Sequence, residues 1–323
     1  MPASTVVLGV DVGGTTIAGG AVTAAGEVLF EDRVATRDAA QAGGAIGAVE
    51  QLIERLRARA TADGVAVRGV GVGVPGPVDT VRGRVGEHVP HAPDLAGEPL
   101  AARLGARFGL PVVVDNDVNA LALGEWRFGA GRHARSLVVL APGTGFGTGI
   151  VLEGRLLRGA GGFIEFGHTP INFDGPPCWC GGRGCLALYA SGRGIAEAAR
   201  ARVVPGTALA RAAGGDPEAI TAALVFRAAA DGDPVAAAVV DEACQALGAM
   251  IGTIVNGLNP ELVVITGGVA ASLAPLEKRI LAAAGEYAFA RALATTRVVI
   301  APGEKATSMR GAAALVLYEE ESR

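Results

Sequence analysis

At 323 residues the chain is longer than one hydrophobic core usually serves, and hydrophobic residues at 50% exclude a disordered protein, so two folded lobes are expected. Lys and Arg total 28 against 32 Asp and Glu, a net charge of −4 without the basic stripe that neutralises many phosphates; nucleic acid is not an expected partner. The 49 glycines follow no three-residue period, which excludes a collagen-like chain and points to turns and close backbone approaches.

The first apolar run, Val6 to Val10, ends at Asp11 and has no basic segment before it. It reads as a strand rather than a signal peptide, and a cytoplasmic location is expected. Between Ile46 and Arg59, residues Ile46, Val49, Ile53 and Leu56 share one face of an amphipathic helix, and Leu100, Leu104 and Phe108 repeat that logic. Further short β-branched or apolar runs read as strands at Val70 to Val74, Val112 to Val114, Leu137 to Leu140, Gly149 to Leu152, Leu262 to Ile265 and Val298 to Ile300. Strands alternating with helices make this an α/β protein. The uncharged run Ala243 to Pro260 approaches membrane-spanning length, but it contains Gln245, Thr253, Asn256 and Asn259 and reads as a buried helix, so no membrane partner is expected. Cys244 falls on its apolar stripe and reads as a small buried hydrophobe.

Two strand-to-glycine-loop units, Val6 to Thr16 and Leu137 to Gly149, point to two related halves with a cleft between them. The stretches Pro75 to Pro99 and Phe173 to Gly184 read as irregular loops beside that cleft. In the first unit, Gly13 and Gly14 let main-chain N–H groups approach phosphate oxygens, and Thr15 and Thr16 add hydroxyls; a tight hairpin without a ligand is the competing reading. In the second, glycine recurs at every other position of Gly143-Thr144-Gly145-Phe146-Gly147-Thr148-Gly149, which reads as a sharp turn offering N–H groups to an anion rather than as strand. Neither loop fits the P-loop or the dinucleotide pattern. Together they imply a nucleotide with a divalent ion, Mg2+, which Asp11 helps to hold through water.

Asp115-Asn116-Asp117-Val118-Asn119 follows the strand at Val112 and precedes a helical run. A carboxylate there can orient a hydroxyl and accept its proton, while a neighbouring amide bonds adjacent hydroxyls. Helix capping is the competing reading, and one of the four polar residues is expected to serve it. His168, Cys178, Cys180 and Cys185 offer one imidazole and three thiolates, the donor set of a closed, structural Zn2+ site. Glu165, three residues before His168, stands close to that site, whereas His88, His91 and His133 have no such company and read as surface or loop residues.

These segments, in this order and over nearly the whole chain, resemble the ROK family of bacterial sugar kinases, glucokinases in particular. So do Gly73-Val74-Pro75-Gly76-Pro77-Val78-Asp79, Asn259-Pro260-Glu261 with Gly267-Gly268, and Gly311-Ala312-Ala313. The resemblance implies the two-lobed, ribonuclease H-like fold of actin-like ATPases, with a small domain of residues 1–116 plus 303–323 and a large domain of 117–302. It implies transfer of the ATP γ-phosphate to the C6-type primary hydroxyl of a hexose, glucose or a close analogue. Asp117 would be the catalytic base, with Asn116, Glu165 and His168 binding sugar hydroxyls. Asp11, Gly13, Gly14, Thr15, Thr16, Gly143, Thr144, Gly145 and Gly147 would hold phosphates. Homodimers or homotetramers are expected.

Three departures bear on specificity. Ala187 follows Gly184-Cys185-Leu186 where the family usually has a sugar-binding Glu, so the pocket loses an acceptor. Phe163-Ile164 replaces a smaller pair before Glu165, and Thr16 stands where many members have Lys. A kinase specialised for an amino sugar such as kanosamine, or for a C7 cyclitol, is the alternative within the class. A sugar-sensing transcriptional regulator is the alternative of another class; it is not the expectation, because the ten residues before Asp11 are too few for a helix-turn-helix.

Overall fold

The computed structural model describes residues 5–87, 89, 92–303 and 305–321. Strands β1 (Thr5–Val12), β2 (Thr16–Thr23), β3 (Val28–Ala35), β4 (Ala66–Val74) and β7 (Val112–Asn116) form a sheet in the order β3-β2-β1-β4-β7. β1 runs antiparallel to β2 and parallel to β4, which runs parallel to β7. Strands β8 (Leu137–Pro142), β9 (Phe146–Leu152), β10 (Arg155–Leu157), β11 (Leu262–Ile265) and β12 (Arg297–Ile300) form a second sheet in the order β10-β9-β8-β11-β12. Counted along the chain, both sheets read 3-2-1-4-5, the repetition expected of two related halves. All seven strands read from the sequence are present.

Alternation along β1 explains the layers around the first sheet. Val6, Leu8, Val10 and Val12 enter a core with Val49, Leu52, Ile53 and Leu56 of α1 (Gly44–Ala62) and with Leu100, Leu104 and Phe108 of α2 (Leu100–Phe108). Val7 points the other way, into a cluster with Ala313, Val316 and Leu317 near the C-terminus. A strand covered on both faces has to be apolar on both, so β1 shows a continuous run instead of polar alternation.

Helix α3 (Asp117–Phe128) follows β7, and in the second half α4 (Ala187–Ala190), α5 (Gly192–Arg200), α6 (Ala208–Ala212), α7 (Ala222–Ala230), α8 (Pro234–Leu258), α9 (Ala270–Leu273), α10 (Glu277–Tyr287) and α11 (Ala290–Leu293) lie between β10 and β12. The C-terminal α12 (Lys305–Glu321) packs on α3, where Gly124 meets Gly311: a Cβ on Gly124 would sit 2.8 Å from the Gly311 Cα. α8 is long and apolar enough, by length and composition, to cross a membrane, yet 67% of its most apolar window is buried. It packs against α10, α7, α4 and α5, so the buried-helix reading holds. Val240, Cys244, Leu247, Ile251 and Ile254 of the expected stripe are buried.

The chain divides into two compact units, Met1–Leu137 with Gly149–Ile164 and Glu304–Arg323, and Val138–Thr148 with Glu165–Gly303. Pro75 to Pro99 is no mere irregular loop: β5 (Val78–Asp79) pairs with β6 (Arg84–Val85), and Val78, Val85, Val89 and Leu95 belong to the core of the first sheet. Too few residues separate its glycines and prolines for periodicity to show, but two backbone pairs and four buried side chains tie it down. Phe173 to Gly184 is irregular, as read.

Candidate active site

In the first unit, the β1–β4 register sets Asp11 opposite Gly73 and the β4–β7 register sets Gly73 opposite Asp115, so three parallel strands end side by side. The carboxyl ends of parallel strands are where α/β proteins gather ligands. A Cβ on Gly73 would lie 3.3 Å from the Asp117 Cα and 3.8 Å from Oδ1 of Asp11. With no side chain at 73, the two acids flank one gap. Burial pushes the Asp11 carboxyl up to about 6, and a hydrogen bond with Ser308 of α12 works against that rise. The residue as a whole is nevertheless only half-buried. Ser308 carries no motif and sequence reasoning did not find it.

The expected helix cap is Asn116. Its Oδ1 accepts from the N–H groups of Val118 (2.9 Å) and Asn119 (3.1 Å), and its Nδ2 donates to the Gly76 carbonyl (3.1 Å), which leaves its second amide hydrogen for a ligand. Asp115 is fully buried; its Oδ1 accepts from the Asn116 N–H (2.7 Å) and Asn119 Nδ2 (2.8 Å), and its Oδ2 from Arg158 Nε (2.7 Å). Burial pushes this carboxyl up, and the Arg158 charge pulls it back. Asp117, the first residue of α3, is half-buried and accepts from the Val118 N–H (3.0 Å). Arg158 is a second residue that the sequence left unmarked.

The first glycine loop is a hairpin turn. Gly13 N–H donates to the Thr16 carbonyl (3.0 Å), the Thr36 hydroxyl donates to the Gly13 carbonyl (2.9 Å), and Gly14 and Thr15 are exposed. The hairpin reading and the phosphate reading therefore share one geometry. In the second loop only Gly143-Thr144-Gly145 forms the turn; Gly147 lies within β9, contrary to the reading of the whole run as a turn, and Gly149 lies there too, in keeping with the strand read from Gly149 to Leu152. Close packing accounts for Gly149, since a Cβ there would come 2.5 Å from the Val118 carbonyl oxygen of α3. Within the second unit the turn is fastened by Gly192 N–H to Gly143 O (2.8 Å), Arg193 N–H to Thr144 O (3.2 Å) and Val269 N–H to Pro142 O (2.9 Å). Gly143, Thr144, Arg193, Arg200, Gly268 and Val269 line a cavity of about 480 Å³.

Also in the second unit, the ligand atoms of His168, Cys178, Cys180 and Cys185 all lie within 4.8 Å of one another. Cys178 Sγ is 3.5 Å from His168 Nδ1 and Cys180 Sγ is 3.7 Å from Cys185 Sγ. Thiolates about 2.3 Å from a tetrahedral Zn2+ stand about 3.8 Å apart, so the donors fit that ion. The Gly182 N–H pulls the Cys180 thiol below its ordinary value, burial pushes Cys185 up to about 12, and burial lowers His168. Glu165 precedes the single turn Phe166–His168; surrounding atoms push its carboxyl up to about 7 although the side chain retains solvent access. Ala187 is fully buried at the start of α4. His133 is exposed in a turn, as read, and His88 and His91 lie outside the described residues.

Two sheets of repeated 3-2-1-4-5 order, with acids at strand ends and glycine turns, define a protein of the actin-like ATPase fold, and solved sugar kinases share it. The profile of the ROK family matches residues 7–319, and the chain belongs to that family. It is 34% identical over 315 residues to a glucokinase of Thermotoga maritima, covering 96% of each chain. It superposes with a TM-score of 0.78 on a ROK family glucokinase of Streptomyces griseus solved with glucose and AMPPNP, at 34% identity, covering 96% of this chain and 98% of that one. A xylose repressor of Caldicellulosiruptor bescii is 34% identical over 243 residues, which cover 74% of this chain but 60% of the repressor.

Proposed function

We propose that this chain transfers the γ-phosphoryl group of ATP to the primary, C6-type hydroxyl of a hexose, glucose or a close analogue. The observation that carries the reading is the gap over Gly73, flanked by Asp11 and Asp117 at the ends of parallel strands. Asp117 orients the acceptor hydroxyl and takes its proton as the phosphorus–oxygen bond forms. Asn116 binds a sugar hydroxyl with its remaining amide hydrogen, and Glu165 and His168 bind others. Gly13, Gly14, Thr15 and Thr16, and Gly143, Thr144, Gly145 and Gly147, serve the phosphates. Asp11 holds the Mg2+ that accompanies ATP, through water, and the ion neutralises phosphate charge. The glucokinase relatives and the complex with glucose and AMPPNP support the choice of substrates.

The Cys and His cluster holds a structural Zn2+ that fixes the His168 ring, leaving its other nitrogen for the sugar. A cytoplasmic enzyme working as a homodimer or homotetramer fits this reading. A second reading within the class, an amino sugar or C7 cyclitol as acceptor, is favoured by the methyl of Ala187, which accepts no hydrogen bond. The test is ADP release in a coupled assay with glucose, mannose, an amino hexose and a C7 cyclitol. Release with glucose supports the first reading; selective release with the amino hexose or cyclitol supports the second. Release with none of them overturns the kinase assignment.

A further inference from the structure

Trp179 stands between two of the clustered cysteines, and its ring meets His168 edge-on, with centroids 6.1 Å apart and planes at 88°. On the same ring lies the guanidinium of Arg193, 4.5 Å from the centroid. Arg193 is the second residue of α5, and its own N–H is one of the three that fasten the Gly143 turn. Its side chain lines the cavity beside that turn, and among the described residues lining that cavity there is no carboxylate. The other cation there, Arg200, is engaged by the carbonyls of Glu218 and Ile220.

Helix electrostatics do not explain an arginine at this position. A cation in the first turn opposes the helix dipole, and in its pair with Glu197 (2.7 Å) the cation precedes the acid, the weaker order. An anion in the cavity would reverse the balance, because it would meet the charged guanidinium and the positive end of the α5 dipole together. We propose that Arg193 is the cation that meets the phosphate chain of the bound nucleotide, and that Trp179 is a positioning residue holding it there. The inference rests on the nucleotide reading above. The metal-binding knuckle thereby acts on nucleotide affinity as well as on the ring of His168.

The test is calorimetric titration of ADP and of adenosine into the metal-loaded full chain. Arg193→Gln is expected to weaken ADP about tenfold and to leave adenosine within about twofold, the loss of one charge-assisted contact. Trp179→Ala, which removes no metal ligand, is expected to weaken ADP about threefold, and Trp179→Phe to restore it, as a cation–π support would. The double variant should be no weaker than Arg193→Gln alone. Unchanged ADP affinity in Arg193→Gln, equal losses for adenosine and ADP, or additive losses in the double variant would each overturn the inference. A wild-type chain that binds no ADP would overturn the nucleotide reading itself, which separates the two failures.

Discussion

Arg158 Nε lies 2.7 Å from Oδ2 of Asp115, a carboxylate with no solvent exposure, while the arginine keeps 21% of its side chain exposed. The other oxygen of the same carboxylate accepts from the Asn116 N–H and from Asn119 Nδ2. One buried charge thus organises the turn that presents Asn116 and Asp117, and Arg158 is what makes that charge tolerable.

Removing Arg158 leaves the charge without its partner. Arg158→Met is expected to destabilise the folded chain by about 3 kcal/mol, the lower end for a buried pair because the arginine is partly exposed. Urea unfolding checks this. Adding Asp115→Asn to Arg158→Met should recover a large part of the loss, since an amide is buried at lower cost than an unpaired carboxylate. A double variant as unstable as the sum of the two singles would show that the pair is not the source of the loss.

Asp117→Ala separates binding from chemistry. The Asn116 cap and the Asp115 network do not depend on the Asp117 side chain, so α3 should keep its start. Hexose binding measured by calorimetry is expected to stay within a few-fold, while ADP release falls by about a thousandfold, the scale of a lost general base. Turnover near the wild-type rate would reject Asp117 as the base.

Asp11 carries a pH signature. Burial raises its carboxyl to about 6, so the folded chain gives up this proton later than the unfolded chain does. Its contribution is full below the unfolded value, near pH 4, and is lost as pH rises through about 6; above that, the charged acid costs the fold on the order of 2 kcal/mol, a figure lowered for its partial exposure. Asp11→Asn should therefore raise the melting temperature by several degrees at pH 7.5, on the order of 4 °C, and by little at pH 4. Equal shifts at the two pH values would mean that the charge is not the cause.

The fold was legible where pattern is long or local. Seven strands and the faces of α1, α2 and α8 showed in the spacing of Val6 to Val10, Ile46 to Leu56, Leu100 to Phe108 and Val240 to Ile254. Strands β2 and β3 were missed because Thr16–Thr23 carries two adjacent glycines and Val28–Ala35 mixes Glu, Asp and Arg into a strand that pairs on one side only. The metal cluster was legible because its three cysteines lie within eight residues. Arg158, Ser308 and Arg193 were not, because each acts on a partner brought near by tertiary packing or on a cavity wall, and no local spacing encodes that. The glycine run from 143 to 149 misled for the converse reason: β9 holds glycine at 149 where the backbone of α3 leaves no room for a side chain.

The two classes of cysteine give the last prediction. Cys178, Cys180 and Cys185 converge with His168, whereas Cys244 is buried on α8 among apolar neighbours. Protein purified without added metal should contain about one zinc per chain, bound by four protein ligands. Cys180→Ser is expected to lose the metal together with hexose affinity, because the ion fixes the His168 ring. Cys180 is itself exposed, so the rest of the fold should tolerate the change. Cys244→Ser is the counterpart: it buries a hydroxyl in an apolar stripe and should cost about 1 to 3 kcal/mol of stability while leaving zinc content and hexose affinity as they were. Metal analysis and calorimetry on the two variants decide the matter. Full zinc in Cys180→Ser, or hexose affinity that survives loss of the metal, would detach the cluster from the sugar site.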